Sequence, residues 1–271
     1  MSQFFLKPLF FSVVICSGLV FRVCNADICE TVKPTVLLNI NVSNQGRQFL
    51  VDTGQKIAIA IASPLSDNDT TVIVSLVIKP ISDLTQIAFE SNAALYVTAH
   101  QATTFNIIKP ALPPTKVTCG GAYSFNGVQI NGENTGLDGY ITIYFKAPSS
   151  STKPIVTGLA EYIYDVAKGK STDPVPTNYY TLNPFETLAI PKFNSAVWVF
   201  IADNVSNGMI FPINILKPIS PSTSVSNSAT VSLDTQSVFQ VSRYLAVNLD
   251  ASEQTTVHFD LTKNAFVYGS Y

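Results

Sequence analysis

Short apolar segments separated by polar turns run along most of this chain, and their spacing is typical of β-strands. Residues 57–61 alternate isoleucine with alanine, as a strand packed on one face requires. Residues 72–78 form a near-continuous apolar run that ends before Pro80. No helix-length amphipathic window is present in the N-terminal half. We predict further strands at residues 36–42, 49–52, 87–89, 94–98, 104–108, 140–145, 230–233, 238–241 and 245–247.

Three other segments lack a clear strand pattern. Residues 43–46 read as a turn, and the glycine-rich stretch 119–136 reads as a turn-rich patch. Residues 159–166 fit either a two-turn helix or an alternating strand, and the period alone does not decide between them.

One pattern occurs twice. Residues 57–80 and 197–218 each contain an apolar run, a polar loop with an Asn-x-Ser/Thr triplet, and a second apolar run that ends at Lys-Pro. Lys79 and Lys217 lie 138 residues apart, which is about the size of one small domain. Residues 95–107 and 245–259 repeat a second, shorter pattern in the same order. The repeats predict a tandem of two related β units that arose by internal duplication.

The predicted fold is therefore all-β, with two tandem antiparallel β-sandwich units of the jelly-roll type. The most linker-like stretch is 147–154, which is polar and has proline near both ends. We place the boundary there, which gives units at residues 27–148 and 149–271. The proline-rich segment near 110–118 is the alternative boundary.

The N-terminus has the build of a secretory signal peptide. Lys7 precedes an apolar run at residues 9–21, and Ala26 stands at a plausible cleavage position. We predict removal of residues 1–26 and secretion of the remaining chain, with an uncleaved membrane anchor as the rival interpretation. No later apolar stretch is long enough to span a membrane.

Cysteine usage agrees with secretion. Cleavage leaves two of the four cysteines, Cys29 and Cys119. In an oxidising compartment the simplest outcome is a disulfide between them, which would close a loop of about 90 residues. Two separate buried thiols are the alternative.

Charge narrows the range of partners. Charged residues make up 13% of the chain and the net charge is −2. Such a chain has no cluster of Lys and Arg residues that could neutralise nucleic acid phosphates, and no polybasic segment that could bind anionic lipid. We therefore expect an extracellular protein or glycan as partner.

Three Asn-x-Ser/Thr triplets, beginning at Asn41, Asn68 and Asn204, are candidate N-glycosylation sites in a secreted chain. Asn68 and Asn204 occupy the same loop of the two repeats. We predict glycans at two or more of these positions, as a surface coat.

The most tempting catalytic motif is the Asp-Thr-Gly string at residues 52–54. Aspartic proteases need two facing carboxylates that share a proton, and Asp234 is a second candidate. Gln236 replaces the glycine expected there, and the repeats do not align Asp52 with Asp234. The two histidines, His100 and His258, form neither a zinc set nor a triad motif. We predict no catalytic residue, metal or cofactor.

Aromatic residues are the other candidates for binding, because exposed rings commonly contact glycans and proteins. The alternative is that most of them fill the β cores. The candidates are Tyr140, Tyr144, Phe145, Tyr162, Tyr164, Tyr179, Tyr180 and Trp198.

Several of these features together resemble the CUB-like secreted proteins of nematodes. They are the apolar strands that end at Lys-Pro, the Cys119-Gly120-Gly121 turn and the strand at 139–144. The chain departs from ordinary CUB modules in lacking their second cysteine pair and an acidic cluster for calcium. The resemblance implies a jelly-roll-type sandwich with an extracellular binding role in surface, matrix or defence biology.

The function that these features favour is non-enzymatic recognition of a protein or glycan through loops at the sandwich ends. Two alternatives stay open. One is a secreted aspartic-type hydrolase that uses Asp52 and Asp234. The other is a structural protein of an extracellular coat or matrix, which would self-associate.

Overall fold

The computed structural model describes residues 36–61, 71–149, 153–166, 168–191, 196–216, 218, 228–233, 237–249 and 254–270. The predicted signal peptide, Cys29, Asn68 and Asp234 lie outside these ranges. The described residues form twenty strands, one α-helix and one short 3₁₀-helix, which confirms the all-β prediction.

The elements follow one another in this order along the chain: β1 (Val36–Asn41), α1 (Asn44–Asp52), β2 (Lys56–Ile61), β3 (Thr71–Ile78), β4 (Leu84–Thr98), β5 (Thr115–Val117), β6 (Gly121–Phe125), β7 (Ile130–Thr135), β8 (Tyr140–Phe145), β9 (Ile155–Asp165), β10 (Lys170–Ser171), β11 (Val175–Pro176), β12 (Tyr180–Leu182), β13 (Thr187–Pro191), β14 (Ala196–Ala202), β15 (Ile210–Pro212), the 3₁₀-helix Ile213–Ile215, β16 (Ser228–Leu233), β17 (Ser237–Ser242), β18 (Leu245–Asn248), β19 (Gln254–Asp260) and β20 (Ala265–Tyr268).

These strands build three sheets. The nine-stranded sheet has the order β10-β9-β4-β1-β19-β20, with β11 and β12 also on β9 and β5 on β4. The seven-stranded sheet has the order β15-β3-β2-β14-β17-β16, with β18 on β14. The four-stranded sheet has the order β13-β8-β6-β7. Most pairs are antiparallel as predicted, but β1–β19 and β6–β8 are parallel.

The nine- and seven-stranded sheets pack face to face around the largest core, to which β1, β2, β14 and β19 all contribute. The alternation in β2 explains its place in this packing. Its isoleucines enter that core, while Ala58 and Ala60 lie opposite the aromatic residues Phe200 and Trp198 of β14. Small residues beside large ones let both faces of the sheet fill without voids.

The four-stranded sheet covers a second core at the other end of β4. The first part of β4 contributes Ile87 and Phe89 to the first core, and its second part contributes Leu95 and Val97 to the second. The register between β4 and β9 shifts between these two parts. The two segments predicted as separate strands at 87–89 and 94–98 are thus one long strand that serves both cores.

Strand pairing crosses the predicted boundary near residue 148. β1 pairs with β19, β2 with β14, and β3 with β15, so strands from both predicted units share the same sheets. The chain therefore does not divide there into two self-contained sandwiches. Long-range pairing of this kind leaves no trace in a local hydrophobic pattern.

The internal duplication is not confirmed. In the first repeat, β2 and β3 are hydrogen-bonded neighbours. In the second, β14 and β15 are not neighbours. β15 pairs with β3, and both β3 and β2 lie between β15 and β14. Similar apolar strings thus occupy different positions in the sheet.

The prediction of a turn at 43–46 and a strand at 49–52 is wrong, because α1 occupies both segments. The Ser43 side chain caps its N-terminus by accepting from the N–H of Gly46 at 3.1 Å. At its C-terminus, Gly54 has φ +68°, and the N–H of Gln55 donates to the carbonyl of Leu50 at 2.9 Å. This is a Schellman motif, which a glycine in the left-handed region completes.

Three further predictions need correction or a decision. Residues 104–108 do not form a strand, since Phe105 has φ +64° and only Ile107 makes an isolated bridge. The ambiguous segment 159–166 is extended and belongs to β9. The stretch predicted as a turn-rich patch contains β6 and β7, whose pairing depends on partners distant in sequence.

Candidate functional site

The candidate site lies at one end of the four-stranded sheet, where the segment 118–123 faces the last residues of β7. The β6–β7 turn fixes how these strands meet. The Asn126 side chain accepts from the N–H groups of Val128 and Gln129, both at 3.0 Å, and Gly127 has φ +92°. An asparagine followed by glycine in the left-handed region is a sequence well suited to such a turn.

A groove of about 290 Å³ opens between these segments. The register of β6 with β7 shifts between Gly121 and Tyr123, so the strands separate locally. The volume is just below the range of about 300–1,000 Å³ for ligand pockets, so it suits a small polar ligand. The groove is lined by Thr118, Cys119, Gly120, Gly121, Ala122, Tyr123, Gly132, Glu133 and Thr135.

Hydrogen bonds hold the wall formed by residues 118–121. The Tyr123 hydroxyl accepts from the N–H of Thr118 at 3.0 Å. Gly120 donates to the carbonyl of Tyr140 and accepts from the N–H of Gly136, both at 2.8 Å. The wall is therefore tied to β6, to β8 and to the end of β7, which makes it a fixed surface.

Gly132 is the residue that the fold explains least. A Cβ atom built on it meets no atom within 4 Å, and its φ lies outside the left-handed region. Neither sterics nor backbone conformation therefore requires a glycine inside β7. A glycine within a strand weakens it and often marks a bulge, such as the register shift beside Gly132, or a place where another molecule or backbone approaches closely. Its missing side chain leaves the groove open.

Glu133 is one of the lining residues, and its carboxylate is bound by two side chains outside the lining. Its Oε1 accepts from Lys146 Nζ and from Ser124 Oγ, each at 2.5 Å. The hydrogen bond from Lys146 and then that from Ser124 hold the pKa of Glu133 below its usual range. The carboxylate is thus ionised at neutral pH and is positioned by Ser124 of β6 and by Lys146, which follows β8.

Chemically, the groove offers hydrogen bonds. Thr118 and Thr135 belong to the lining, and their hydroxyl groups and the backbone amides of the glycines are hydrogen-bonding groups. Among the described residues no cluster of three or more His, Cys, Asp or Glu side chains is placed to hold a metal ion. The arrangement suits a ligand rich in hydroxyl groups.

The predicted disulfide touches this site through Cys119, which lies in the groove lining. Its predicted partner Cys29 falls outside the described ranges, so the pairing stays a prediction.

The predicted glycosylation sites have different surroundings. Asn204 is exposed in the loop after β14 and has φ +50°. Asn41 is half-buried at the end of β1, where β4 and β19 pair with it on both sides. Asn68 falls in the part of the chain that the structure leaves undescribed.

The Asp-Thr-Gly motif forms the C-terminal end of α1. Asp52 is the last residue of the helix, is exposed, and accepts a hydrogen bond from Gln48 Nε2 at 2.7 Å. Asp234 lies outside the described ranges, so the structure gives no distance between the two carboxylates. His100 is exposed, and His258 Nδ1 lies 3.0 Å from the carbonyl oxygen of Gly269.

Half of the aromatic candidates are core residues. Tyr140, Phe145, Tyr179 and Tyr180 are buried. The other four, which are Tyr144, Tyr162, Tyr164 and Trp198, are half-buried. Trp198 stacks on Tyr244 with ring centroids 4.3 Å apart.

Sequence reasoning missed Gly132, Glu133 and Lys146. The glycine within a strand was a usable signal, had β7 been recognised. The meeting of Glu133 with Lys146 depends on β6 lying between β7 and β8, which no local pattern reveals.

Comparison with known proteins gives no relative: no family model, no curated protein and no solved structure matches this chain. No helix among the described residues is long and apolar enough to cross a membrane.

Proposed function

We propose that this chain is a secreted, non-enzymatic recognition protein that binds a sugar residue of an extracellular glycan in the groove beside β7. The observation that carries the proposal is Gly132. It leaves the groove open although neither its φ nor its surroundings require a glycine. Extracellular location is also what the N-terminal segment and the CUB-like resemblance imply.

The polar lining favours a sugar residue of a glycan over an apolar side chain of a protein as the ligand. The groove is small, and its lining is rich in threonine and glycine, whose hydroxyl groups and backbone amides form hydrogen bonds. A sugar ring offers several hydroxyl donors and acceptors in a rigid frame, which suits such a surface. The flanking backbone is already fixed, so little conformational entropy is lost when the ligand binds.

A disulfide between Cys29 and Cys119 belongs to the same proposal. Cys119 lies between Thr118 and Gly120 in the groove wall, and its side chain or backbone already has an interaction partner. A covalent link there would anchor the wall to the N-terminal segment. It would also restrict the unfolded chain, for which about 3–5 kcal/mol is a typical stabilisation.

The direct test is a glycan array probed with the purified secreted protein and two variants. Gly132→Leu places a side chain in the groove, and we expect it to abolish the binding that the wild-type protein shows. Asn131→Leu adds the same side chain one residue earlier on the same strand, outside the lining, and we expect binding to persist.

Two results would overturn the proposal. One is equal binding by wild type and Gly132→Leu, which would place the ligand elsewhere. The other is no glycan binding by the wild type at saturating protein concentration. Circular dichroism melts of all three proteins check that a loss of binding does not reflect unfolding.

A further inference from the structure

A strained turn lies at the opposite end of the four-stranded sheet, between β12 and β13. In the turn Asn183–Glu186, proline occupies the second position and Phe185 the third, with φ +66°. The N–H of Glu186 donates to the carbonyl of Asn183 at 3.1 Å, which closes a type II turn. The third position of such a turn favours glycine, and a bulky residue there is an outlier.

The turn persists because its neighbours determine its shape. The Glu186 carboxylate accepts from the backbone N–H of Asn183 at 2.9 Å and from its Nδ2 at 3.0 Å. Phe185 N–H donates to the carbonyl of Phe145 at 2.9 Å, and Phe145 N–H donates to the carbonyl of Glu186 at 3.0 Å. Strained residues survive when the surrounding structure holds them in this way.

The phenyl ring of Phe185 has little burial that could offset this backbone strain. Phe185 is 57% exposed. The other three described non-glycine residues with positive φ have an evident reason. Asn204 and Asn264 are asparagines, which tolerate this conformation, and Phe105 packs against Phe211 with ring centroids 5.4 Å apart. Phe185 alone combines a bulky side chain, a positive φ and a mostly exposed ring.

Other exposed apolar groups lie at the same end of the sheet. Val128, at the tip of the β6–β7 turn, is 72% exposed. Pro148 is exposed and lies against Gly127, since a Cβ on that glycine would be 3.1 Å from the proline ring. Phe125 and Phe145, the last residues of β6 and β8, are register partners, so the two turns flank the end of β8.

The charge around the Phe185 ring favours a protein over anionic lipid as its binding partner. Glu186, next to Phe185, is exposed and acidic, while Lys146 is paired with Glu133. Anionic lipid would be repelled by this carboxylate, and the chain carries a net charge of −2. A protein surface with an apolar pocket and a basic residue at its rim fits both the ring and the carboxylate.

We propose that Phe185 is the anchor of a second interaction surface, which inserts its ring into an apolar pocket with a basic rim on a partner protein. Aromatic anchors that are held rigid in the free protein lose little entropy on binding and commonly dominate interface energy. This surface is independent of the groove beside β7.

The stability of Phe185→Gly is the first test. Glycine relieves the turn strain but makes the unfolded chain more flexible, so we expect the Tm to stay within about 1 °C or to rise by up to about 4 °C. Phe105→Gly serves as control, because it also replaces a phenylalanine at positive φ but loses ring packing. Its Tm should fall by about 4 °C or more. A similar fall for Phe185→Gly would show that its ring is structural and would overturn the proposal.

The second test places a photoreactive phenylalanine analogue at position 185 of the secreted protein and irradiates it in its native extracellular fluid. The cross-linked protein is identified, purified and titrated against wild type, Phe185→Gly and Val51→Ala. Val51 is 63% exposed on α1 and serves as the matched apolar control. We expect at least a tenfold loss of affinity for Phe185→Gly alone.

Several outcomes would overturn this proposal. They are the absence of any cross-linked protein, cross-linking only to a second copy of this chain, and equal affinity of all three proteins. Binding that occurs only to vesicles of anionic lipid would also overturn it.

Discussion

At the level of single residues, the loop after β14 presents Asn204 to solvent while the next residue anchors the loop. Val205 is buried, and Asn207 Oδ1 accepts from the N–H of Val77 at 2.8 Å. Gly208 N–H donates to the carbonyl of Val74 at 2.7 Å. The amide of Asn204 therefore stands on a fixed support, which suits attachment of a glycan better than the half-buried Asn41.

We expect Ser206→Ala to lower the mass of the protein by one N-glycan. The change removes the acceptor triplet but leaves Asn204, whose φ of +50° glutamine would tolerate less well. Intact mass before and after enzymatic removal of N-glycans measures the effect. An unchanged mass would show that Asn204 carries no glycan.

At the level of secondary-structure elements, two strand glycines have opposite surroundings. A Cβ on Gly158 of β9 would lie 2.2 Å from the carbonyl oxygen of Asn178, whereas one on Gly132 of β7 meets nothing within 4 Å. The Asn178 side chain also accepts from the N–H of Leu159 at 2.7 Å, so that loop cannot easily move away. Gly158 is required by packing and Gly132 is not.

This contrast predicts opposite effects of alanine on the free energy of unfolding. Gly158→Ala should destabilise by about 3 kcal/mol, at the upper end of typical overpacking costs. Gly132→Ala should be neutral or stabilise by about 0.5–1 kcal/mol, because alanine restricts the unfolded strand. Denaturant titration of both variants measures the difference. If Gly132→Ala proved as damaging as Gly158→Ala, the groove would be more crowded than the structure shows.

The elements also show what the sequence could and could not reveal. Strands with a clear apolar pattern, such as β2, β3 and β8, were predicted at nearly the observed bounds. The helix α1 was missed because only Leu50 and Gly46 are buried on it, so its apolar pattern is faint. Its caps, Ser43 and Gly54, were the stronger signals. The candidate groove could not be predicted, since it depends on the pairing of β6 with β7 and β8.

At the level of the whole molecule, N-terminal strands lie in the same sheets as C-terminal strands. β1 lies between β4 and β19, and β2 lies between β3 and β14. Removing residues beyond 148 would leave β1 and β2 each with one open edge and expose the main core. The two predicted units therefore depend on one another.

We expect fragments 27–148 and 149–271, produced separately, to show no cooperative thermal unfolding by circular dichroism. The control is the whole chain with a protease site inserted after the exposed Ser149 and then cleaved, which should stay associated and melt cooperatively. Cooperative melting of both isolated fragments near the Tm of the whole chain would show that they are independent domains.

Hydrogen exchange of the protein, with and without the glycan that binds it most tightly on the array, tests the proposed recognition most directly. We predict slower exchange at residues 118–123 and 130–135 when the glycan is present, with little change at the Phe185 turn. Unchanged exchange in both groove segments, with protection elsewhere in the molecule, would contradict the proposal that this groove is the binding site.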